Sequence, residues 1–151
     1  MEQTLILVKP DGVQRGLVGQ IISRFEQRGL KLRGMKFMQM SRDLASQHYA
    51  VHQGKPFYDD LISYITSGPV VAMVWEGRDS INAARVTIGS TRPAEAQAGT
   101  IRGDYAMEVG RNLVHGSDSE ENAAREVSLF FTEDELVEWQ RAAEGWIRES
   151  E

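Results

Sequence analysis

The segment at positions 111–119 of this 151-residue chain is dense in side chains that can do chemistry. It contains His115, the one histidine of three that lies in such a polar stretch. Gly116 would let backbone approach a ligand closely, and a helix beginning near Ser119 would direct its first N–H groups and its positive dipole end at an anion. The segment therefore suggests a nucleophilic histidine beside an anion site. A structural histidine followed by a helix-capping serine is the simpler alternative, and composition alone leaves both open.

A carboxylate could orient this histidine from the next predicted helix. Glu126 falls between Ala123 and Phe130 on the helical wheel, at the edge of the apolar face. There it could hydrogen-bond one imidazole nitrogen of His115 and leave the other free to attack. The alternative is an ordinary flanking glutamate, which the sequence alone favours.

Local cations are needed if phosphate binds, because the formal net charge is −5. Arg85 would share the apolar side of a helix with Ile81 and Ile88, where it either snorkels or clamps a phosphate with its planar fork. Lys9, Arg85 and Arg102 together could supply the positive field. The acidic balance gives no support to nucleic-acid binding.

Several classes of site are excluded by what the sequence lacks. The chain has no cysteine, so thiol nucleophiles, disulfides and thiolate metal sites are ruled out. It contains no P-loop, no G-x-G-x-x-G and no protein-kinase catalytic loop. His48 and His52 have the spacing of a helical zinc pair, but no third ligand is evident and surface histidines are the preferred interpretation.

The hydrophobic pattern indicates strands that alternate with helices. Short apolar runs predict buried strands at 5–8 and 70–75 and a bent strand at 30–40. Lys9-Pro10-Asp11-Gly12 reads as a turn. Helical spacing follows at 17–28, 48–51, 57–66, 80–88 and 119–131, with a loop at 89–99. The pattern is that of an α/β or α+β sandwich, with residues 1–151 as a single domain. Neither a signal peptide nor a membrane segment is evident, so a cytoplasmic location is expected.

The motif N-L-V-H-G-S-D-S at 112–119 closely resembles the signature N-x-x-H-G-S-D-[SA] of the nucleoside diphosphate kinase family. Further segments match that family in order along essentially the whole chain. They are K-P-D-G-V at 9–13, H-Y at 48–49, K-P-F-Y at 55–58, S-G-P-V-V at 67–71 and T-I-R-G-D at 100–104.

This resemblance implies a fold, a reaction and a role for individual residues. The fold would be an α+β sandwich with a ferredoxin-like βαββαβ core, a four-stranded antiparallel sheet and added helices. The reaction would be ping-pong transfer of the γ-phosphoryl group from a nucleoside triphosphate, typically ATP, to a nucleoside diphosphate. Magnesium would arrive on the nucleotide phosphates rather than at a protein metal site. His115 would be phosphorylated, Glu126 would orient its ring, and Ser117 would join their hydrogen-bond network.

The remaining matched positions are the family's nucleotide contacts. Phe57 would stack on the base, with Val109 against its other face. The contacts to phosphates and ribose would be Lys9, Tyr49, Arg85, Thr91, Arg102 and Asn112, of which Lys9 also counts as catalytic.

The resemblance also implies assembly of several copies of the chain. Arg92 and Ala98 depart from the usual residues of the loop at 89–99, which resembles one used in oligomer contacts. The tail at 139–151, with Trp146, looks more like that of hexameric members, so a homo-oligomer is expected, with a hexamer favoured over a tetramer. A regulatory module of the same fold that senses ATP without turning it over is the rival interpretation.

Overall fold

The computed structural model describes residues 1–150, which form helices around a four-stranded antiparallel sheet of order β2-β3-β1-β4. The strands are β1 (Glu2–Val8), β2 (Lys31–Met38), β3 (Val70–Gly77) and β4 (Val114–Gly116). Six of the eight β3 residues are apolar, and seven of the eight are buried, as expected for a central strand covered on both faces.

Within residues 1–150, seven α-helices connect and cover these strands. They are α1 (Pro10–Gln14), α2 (Val18–Arg28), α3 (Arg42–His48), α4 (Tyr58–Ile65), α5 (Ser80–Ile88), α6 (Ile101–Tyr105) and α7 (Glu120–Phe130). The order βαββαβ is preserved, with α3 and α4 inserted between β2 and β3 and α7 added after β4. The predicted ferredoxin-like α+β fold is therefore confirmed.

Alternating side chains of β1 divide the core into two layers. Leu5 and Leu7 pack with residues of α3, α4 and α7, whereas Ile6 and Val8 pack with residues of α2 and α5. Because burial of each such side chain contributes roughly 1.5–3 kcal/mol, this alternation holds helices on both faces of the sheet.

Some predicted boundaries were wrong. The turn predicted at Lys9–Gly12 is the start of the short helix α1, since Pro10 occupies a first-turn position where its missing N–H costs nothing. The helix predicted at 48–51 was wrong, because α3 ends at His48 and a short 3-10 helix covers Ala50–His52. The α-helix of this region is α3, which begins after Ser41, whose Oγ accepts from the N–H of Leu44 at 3.0 Å. Few apolar residues mark its first turns, so periodicity missed it.

Other predicted features are confirmed. Gly29 ends α2 with a left-handed φ of 102°, and the bend expected in β2 is a register shift between Leu32 and Gly34.

Within residues 1–150, no helix combines the length and the apolar character that crossing a bilayer requires.

Gly103 allows α6 to pack closely against the loop before it. A Cβ at this position would lie 1.9 Å from the carbonyl oxygen of Gln97, far inside contact distance. We therefore expect Gly103→Ala to lower the free energy of unfolding by about 2 kcal/mol or more in chemical denaturation. Gly145→Ala is the control, because nothing lies within 4 Å of its Cβ position. Equal stability of the two variants would contradict this packing.

Candidate active site

The pairing of β4 with β1 determines which face of the sheet carries His115. His115 is the cross-strand partner of Leu7, and directly opposed residues point to the same face. That face is the one covered by α7. The strand follows Leu113, whose φ of 76° is left-handed and costs a non-glycine residue of order 1–2 kcal/mol.

Glu126 on α7 meets the histidine directly. Its Oε1 lies 2.8 Å from Nε2 of His115 and also accepts a hydrogen bond from Oγ of Ser117 at 2.7 Å. Glu126 is 5% exposed and Ser117 is fully buried. Ser117 is held in turn by the backbone, since its Oγ accepts from the N–H of Leu5 at 3.1 Å.

The ionisation of Glu126 suits this arrangement. Burial by itself would raise its pKa, but the hydrogen bonds from His115 and Ser117 outweigh burial and hold the pKa below its usual value. A carboxylate can only accept, so Nε2 of His115 must carry the proton. Nδ1 then bears the lone pair, which makes it the nucleophilic nitrogen of a neutral ring.

Arg102 and Arg85 are held in place by backbone carbonyl groups. Arg102 is 8% exposed and donates to the carbonyl oxygens of Asn112, Gly89 and Val114 at 3.2, 3.1 and 2.6 Å. Burial, with Arg85 nearby, lowers the pKa of Arg102 to about 10, so it stays charged at neutral pH. Arg85 reaches the carbonyl oxygen of Gly116 at 3.3 Å.

Asn112 connects Lys9 to the loop before α6. Its Oδ1 accepts from Nζ of Lys9 at 2.8 Å, and its Nδ2 donates to the carbonyl oxygen of Thr91 at 3.2 Å. Burial, followed by repulsion from Arg102, lowers the pKa of Lys9 to about 8. An incoming anion would therefore find a cation that is fixed in position and short of negative partners.

These side chains line a cavity of about 550 Å³, here called the His115 cavity. All predicted site residues except Ser117 line it, and Ser117 lies beneath Glu126. Phe57 and Val109 are 47% and 56% exposed, which leaves apolar surface available to a ligand. The predicted lining residues are Lys9, Tyr49, Phe57, Arg85, Thr91, Arg102, Val109, Asn112, His115 and Glu126.

The interpretation of His48 as a surface histidine was wrong. It is 3% exposed, lines the His115 cavity, and stacks edge-on with its ring centre 4.8 Å from that of His115. It also shares no continuous α-helix with His52, because α3 ends at His48. Its spacing of three residues from Ala45, a buried residue of the same helix, was the signal that could have predicted this burial.

Further lining residues were missed from the sequence. Asp118 and Asn122 form a pair across the start of α7, with Nδ2 of Asn122 donating to Oδ1 of Asp118 at 2.6 Å. Their spacing of four residues was the available signal. The other missed lining residues are Val51, His52, Leu61 and Arg125.

The one group of three metal-ligating side chains found in residues 1–150 is His48, His115 and Glu126, with candidate ligand atoms within 4.8 Å of one another. Two imidazoles and a carboxylate suit zinc better than magnesium, which prefers oxygen ligands. Lys9 and Arg125 lie nearby and oppose a divalent cation there. The donor atoms of this group therefore suit magnesium poorly.

Charge at the His115 cavity favours a phosphate ester. Its lining has the cations Lys9, Arg85, Arg102 and Arg125 against the carboxylates of Asp118 and Glu126. An imidazole oriented by a carboxylate at such a cavity defines, by class, a phosphotransferase.

Comparison with known proteins gives the family. Residues 2–136 match the family model of nucleoside diphosphate kinase. The nucleoside diphosphate kinase of Carboxydothermus hydrogenoformans is 62% identical over 149 residues, which cover 99% of this chain and 100% of that protein. That of Archaeoglobus fulgidus is 57% identical, with 99% of each chain covered. The chain belongs to the nucleoside diphosphate kinase family, whose activity is phosphoryl transfer between nucleotides.

Solved structures agree with this assignment. The structure of a nucleoside diphosphate kinase family protein from Babesia bovis superposes with a TM-score of 0.96 at 51% identity, covering 98% of this chain and 100% of that one. The nucleoside diphosphate kinase of Halobacterium salinarum, solved in complex with CDP, superposes with a TM-score of 0.95 at 54% identity, covering 98% and 99%.

His48 should make the protein less stable in mild acid. Burial, then the neighbouring His115, lowers its pKa to about 3, whereas an unfolded histidine titrates near 6.5. Below pH 6.5 the unfolded chain takes up a proton that the folded chain refuses, so the free energy of unfolding should fall by about 1–2 kcal/mol between pH 6.5 and 5. Denaturant titrations of wild type and His48→Phe measure this. Identical pH dependence in both proteins would contradict it.

Lys9 should take up a proton when nucleotide binds at mildly alkaline pH. Its pKa of about 8 in the free protein should rise beside phosphate, so binding at pH 8 should take up about half a proton per chain. Calorimetry of ADP binding in two buffers of different ionisation enthalpy measures the uptake. Lys9→Arg keeps the charge but does not titrate, and should abolish it. Equal uptake by this variant would show that another group is responsible.

Proposed function

We propose that His115 carries the phosphoryl group in this chain, in a ping-pong exchange between a nucleoside triphosphate, typically ATP, and a nucleoside diphosphate. The observation that carries the proposal is the hydrogen bond between Nε2 of His115 and Glu126, which leaves Nδ1 free within a cation-lined cavity. His115 alone can serve as the nucleophile, because the same nitrogen accepts and then gives up the phosphoryl group.

In the first half-reaction, Nδ1 of neutral His115 attacks the γ-phosphorus of the triphosphate. An N–P bond forms, the bond between the γ-phosphorus and its bridging oxygen breaks, and the diphosphate leaves with that electron pair. The imidazole gains positive charge as the bond forms, and the Glu126 carboxylate stabilises it through Nε2–H. In the second half-reaction, the terminal phosphate oxygen of another diphosphate attacks the same phosphorus. A P–O bond forms, and the N–P bond breaks with its electron pair returning to Nδ1, which restores neutral His115.

The cavity cations stabilise the charge of the transferred group. Arg102 is held by three backbone carbonyls and Lys9 by Asn112, so little reorganisation is needed when phosphate arrives. Arg85 lies beside His115, at the carbonyl of Gly116. Tyr49, Thr91 and Asn112 complete the contacts to phosphates and ribose, and burial raises the pKa of Tyr49, which keeps its hydroxyl as a donor.

Stacking explains how such a site can accept different bases. The half-exposed ring of Phe57 and the side chain of Val109 offer apolar surface, and every base has a π-face to place against it. The CDP complex of the Halobacterium salinarum relative supports a pyrimidine nucleotide as one ligand of this site.

Magnesium fits the proposal as a companion of the nucleotide. The cavity is rich in cations, and Asp118 is the carboxylate of its lining that Glu126's role leaves available. Phosphate oxygens would hold the ion, which would neutralise charge on the phosphates. Asp118, which interacts with Arg85, would be available to contact the ion through water.

We also propose that the chain, as one catalytic domain, assembles with copies of itself, with a hexamer favoured over a tetramer. Exposed apolar side chains support self-association: Phe37 on the edge strand β2 is 66% exposed and Trp146 is 93% exposed. Neither a membrane nor a nucleic acid is needed for the proposed reaction, and a cytoplasmic location stays an expectation from the sequence.

Brief incubation with γ-³²P-ATP tests the role of His115. Wild type should become labelled on a residue whose phosphate is lost in acid and kept in alkali, as expected for phosphohistidine. His115→Ala should remain unlabelled and lose exchange by at least about three orders of magnitude, because the nucleophile is absent. His52→Ala is the matched control and should still be labelled. Failure of wild type to label would favour a nucleotide sensor instead.

A further inference from the structure

Leu113 is an unusual residue for the position it occupies. It is fully buried and has a left-handed φ of 76°, although it carries a branched side chain. It stands between Asn112, which holds Lys9, and β4, which carries His115. The backbone dihedrals of Leu113 therefore set how His115 is placed relative to the phosphate cations.

Both polar groups of Leu113 are held by the segment that follows β1. The N–H of Lys9 donates to the carbonyl oxygen of Leu113 at 2.8 Å, and the N–H of Leu113 donates to Oδ2 of Asp11 at 3.1 Å. Gly12 permits this approach, because a Cβ there would lie 3.2 Å from the same carbonyl oxygen and 2.7 Å from Cγ1 of Val8. This explains two residues of the K-P-D-G motif that the proposed chemistry does not use.

Asp11 is itself fixed from the opposite side. The hydroxyl of Tyr64 donates to its Oδ1, and the guanidinium of Arg111 lies 4.5 Å from the centre of the Tyr64 ring. Burial and the bond to Asp11 raise the pKa of Tyr64, so the hydroxyl remains a donor over the working pH range. One carboxylate oxygen of Asp11 thus accepts from a side chain of α4, and the other accepts from the backbone just before β4.

Through Asp11, the base side of the His115 cavity is connected to its phosphate side. Tyr64 belongs to α4, the helix that begins directly after Phe57 on the base side. Leu113 belongs to the segment that presents His115 on the phosphate side. Neither Asp11 nor Tyr64 lines the cavity.

We propose that Asp11 and Tyr64 are a positioning pair that maintains the left-handed backbone of Leu113 and thereby aligns His115 with the phosphate bound at Lys9. The pair lies outside the lining of the His115 cavity, and it acts through the backbone. The inference rests on the proposed role of His115. It goes beyond that role by assigning function to residues outside the cavity.

The test separates alignment from binding. Asp11→Ala removes the acceptor of the Leu113 N–H, Asp11→Asn keeps an oxygen there, and Tyr64→Phe removes the hydroxyl alone. Ser80→Ala is the matched control, since it deletes the partly buried hydrogen bonds from the Ser80 hydroxyl to Glu2, at the far end of β1. For each variant we would measure the single-turnover rate of His115 phosphorylation at saturating ATP, the Kd for ADP, and Tm.

Misalignment should slow the chemical step while leaving affinity largely intact. We expect Asp11→Ala to lower the saturated rate by about 10- to 100-fold and Tyr64→Phe by about 3- to 10-fold, with Kd for ADP within about threefold of wild type. Asp11→Asn should recover a rate within about threefold of wild type, and Ser80→Ala should not change it.

Other outcomes would contradict the proposed positioning role of Asp11 and Tyr64. A saturated rate of Tyr64→Phe equal to wild type, or an effect confined to Kd, would exclude a positioning role. So would Asp11→Asn being as slow as Asp11→Ala. If Asp11→Ala does not fold, Tyr64→Phe decides the matter, because loss of a hydroxyl at a half-buried site leaves the ring packing in place. Absence of labelling in wild type would instead refute the proposed role of His115.

Discussion

The short antiparallel pairing of β4 with β1 is the constraint on which the site depends. Only three residues pair, yet they place His115 opposite Leu7 and turn its ring toward α7. The same pairing lets Leu5 hold Ser117, which in turn binds Glu126. A slip of one residue would send the imidazole to the opposite face, toward α2 and α5 and away from Glu126 on α7. Register in the sheet therefore has a direct chemical consequence.

Electrostatics at the His115 cavity run against the acidic character of the chain as a whole. Backbone carbonyls, rather than carboxylates, hold Arg102, so its charge is positioned without being neutralised. Burial lowers the pKa of Lys9 and of His48, because a positive charge that no carboxylate neutralises is unfavourable in this cavity. A bound polyphosphate would offset the repulsion between these cations, which favours binding of a highly charged ligand.

Much of the fold and site could be predicted from the sequence, because the informative signals are local. Apolar runs predicted β1 and β3, and Gly29 predicted the end of α2. The position of Glu126 on the helical wheel raised the possibility of a contact with His115, but the sequence alone favoured an ordinary flanking glutamate. Prediction failed where local signals were weak, as at α3, whose first turns are polar, and at His48, whose burial depends on contacts with Phe130 and His115 from distant segments.

By itself, the sequence determined the family, the identity of the reactive histidine as a hypothesis, and the residue types available to bind phosphate. These follow from motifs whose spacing is short, because neighbours along a helix, strand or turn are fixed by backbone geometry. Only the tertiary structure decided that Lys9, Arg102 and Glu126 lie around one cavity, that Leu113 adopts a left-handed backbone, and that Asp11 connects it to Tyr64. Contacts between distant segments depend on strand order, register and packing, which no spacing within the chain records.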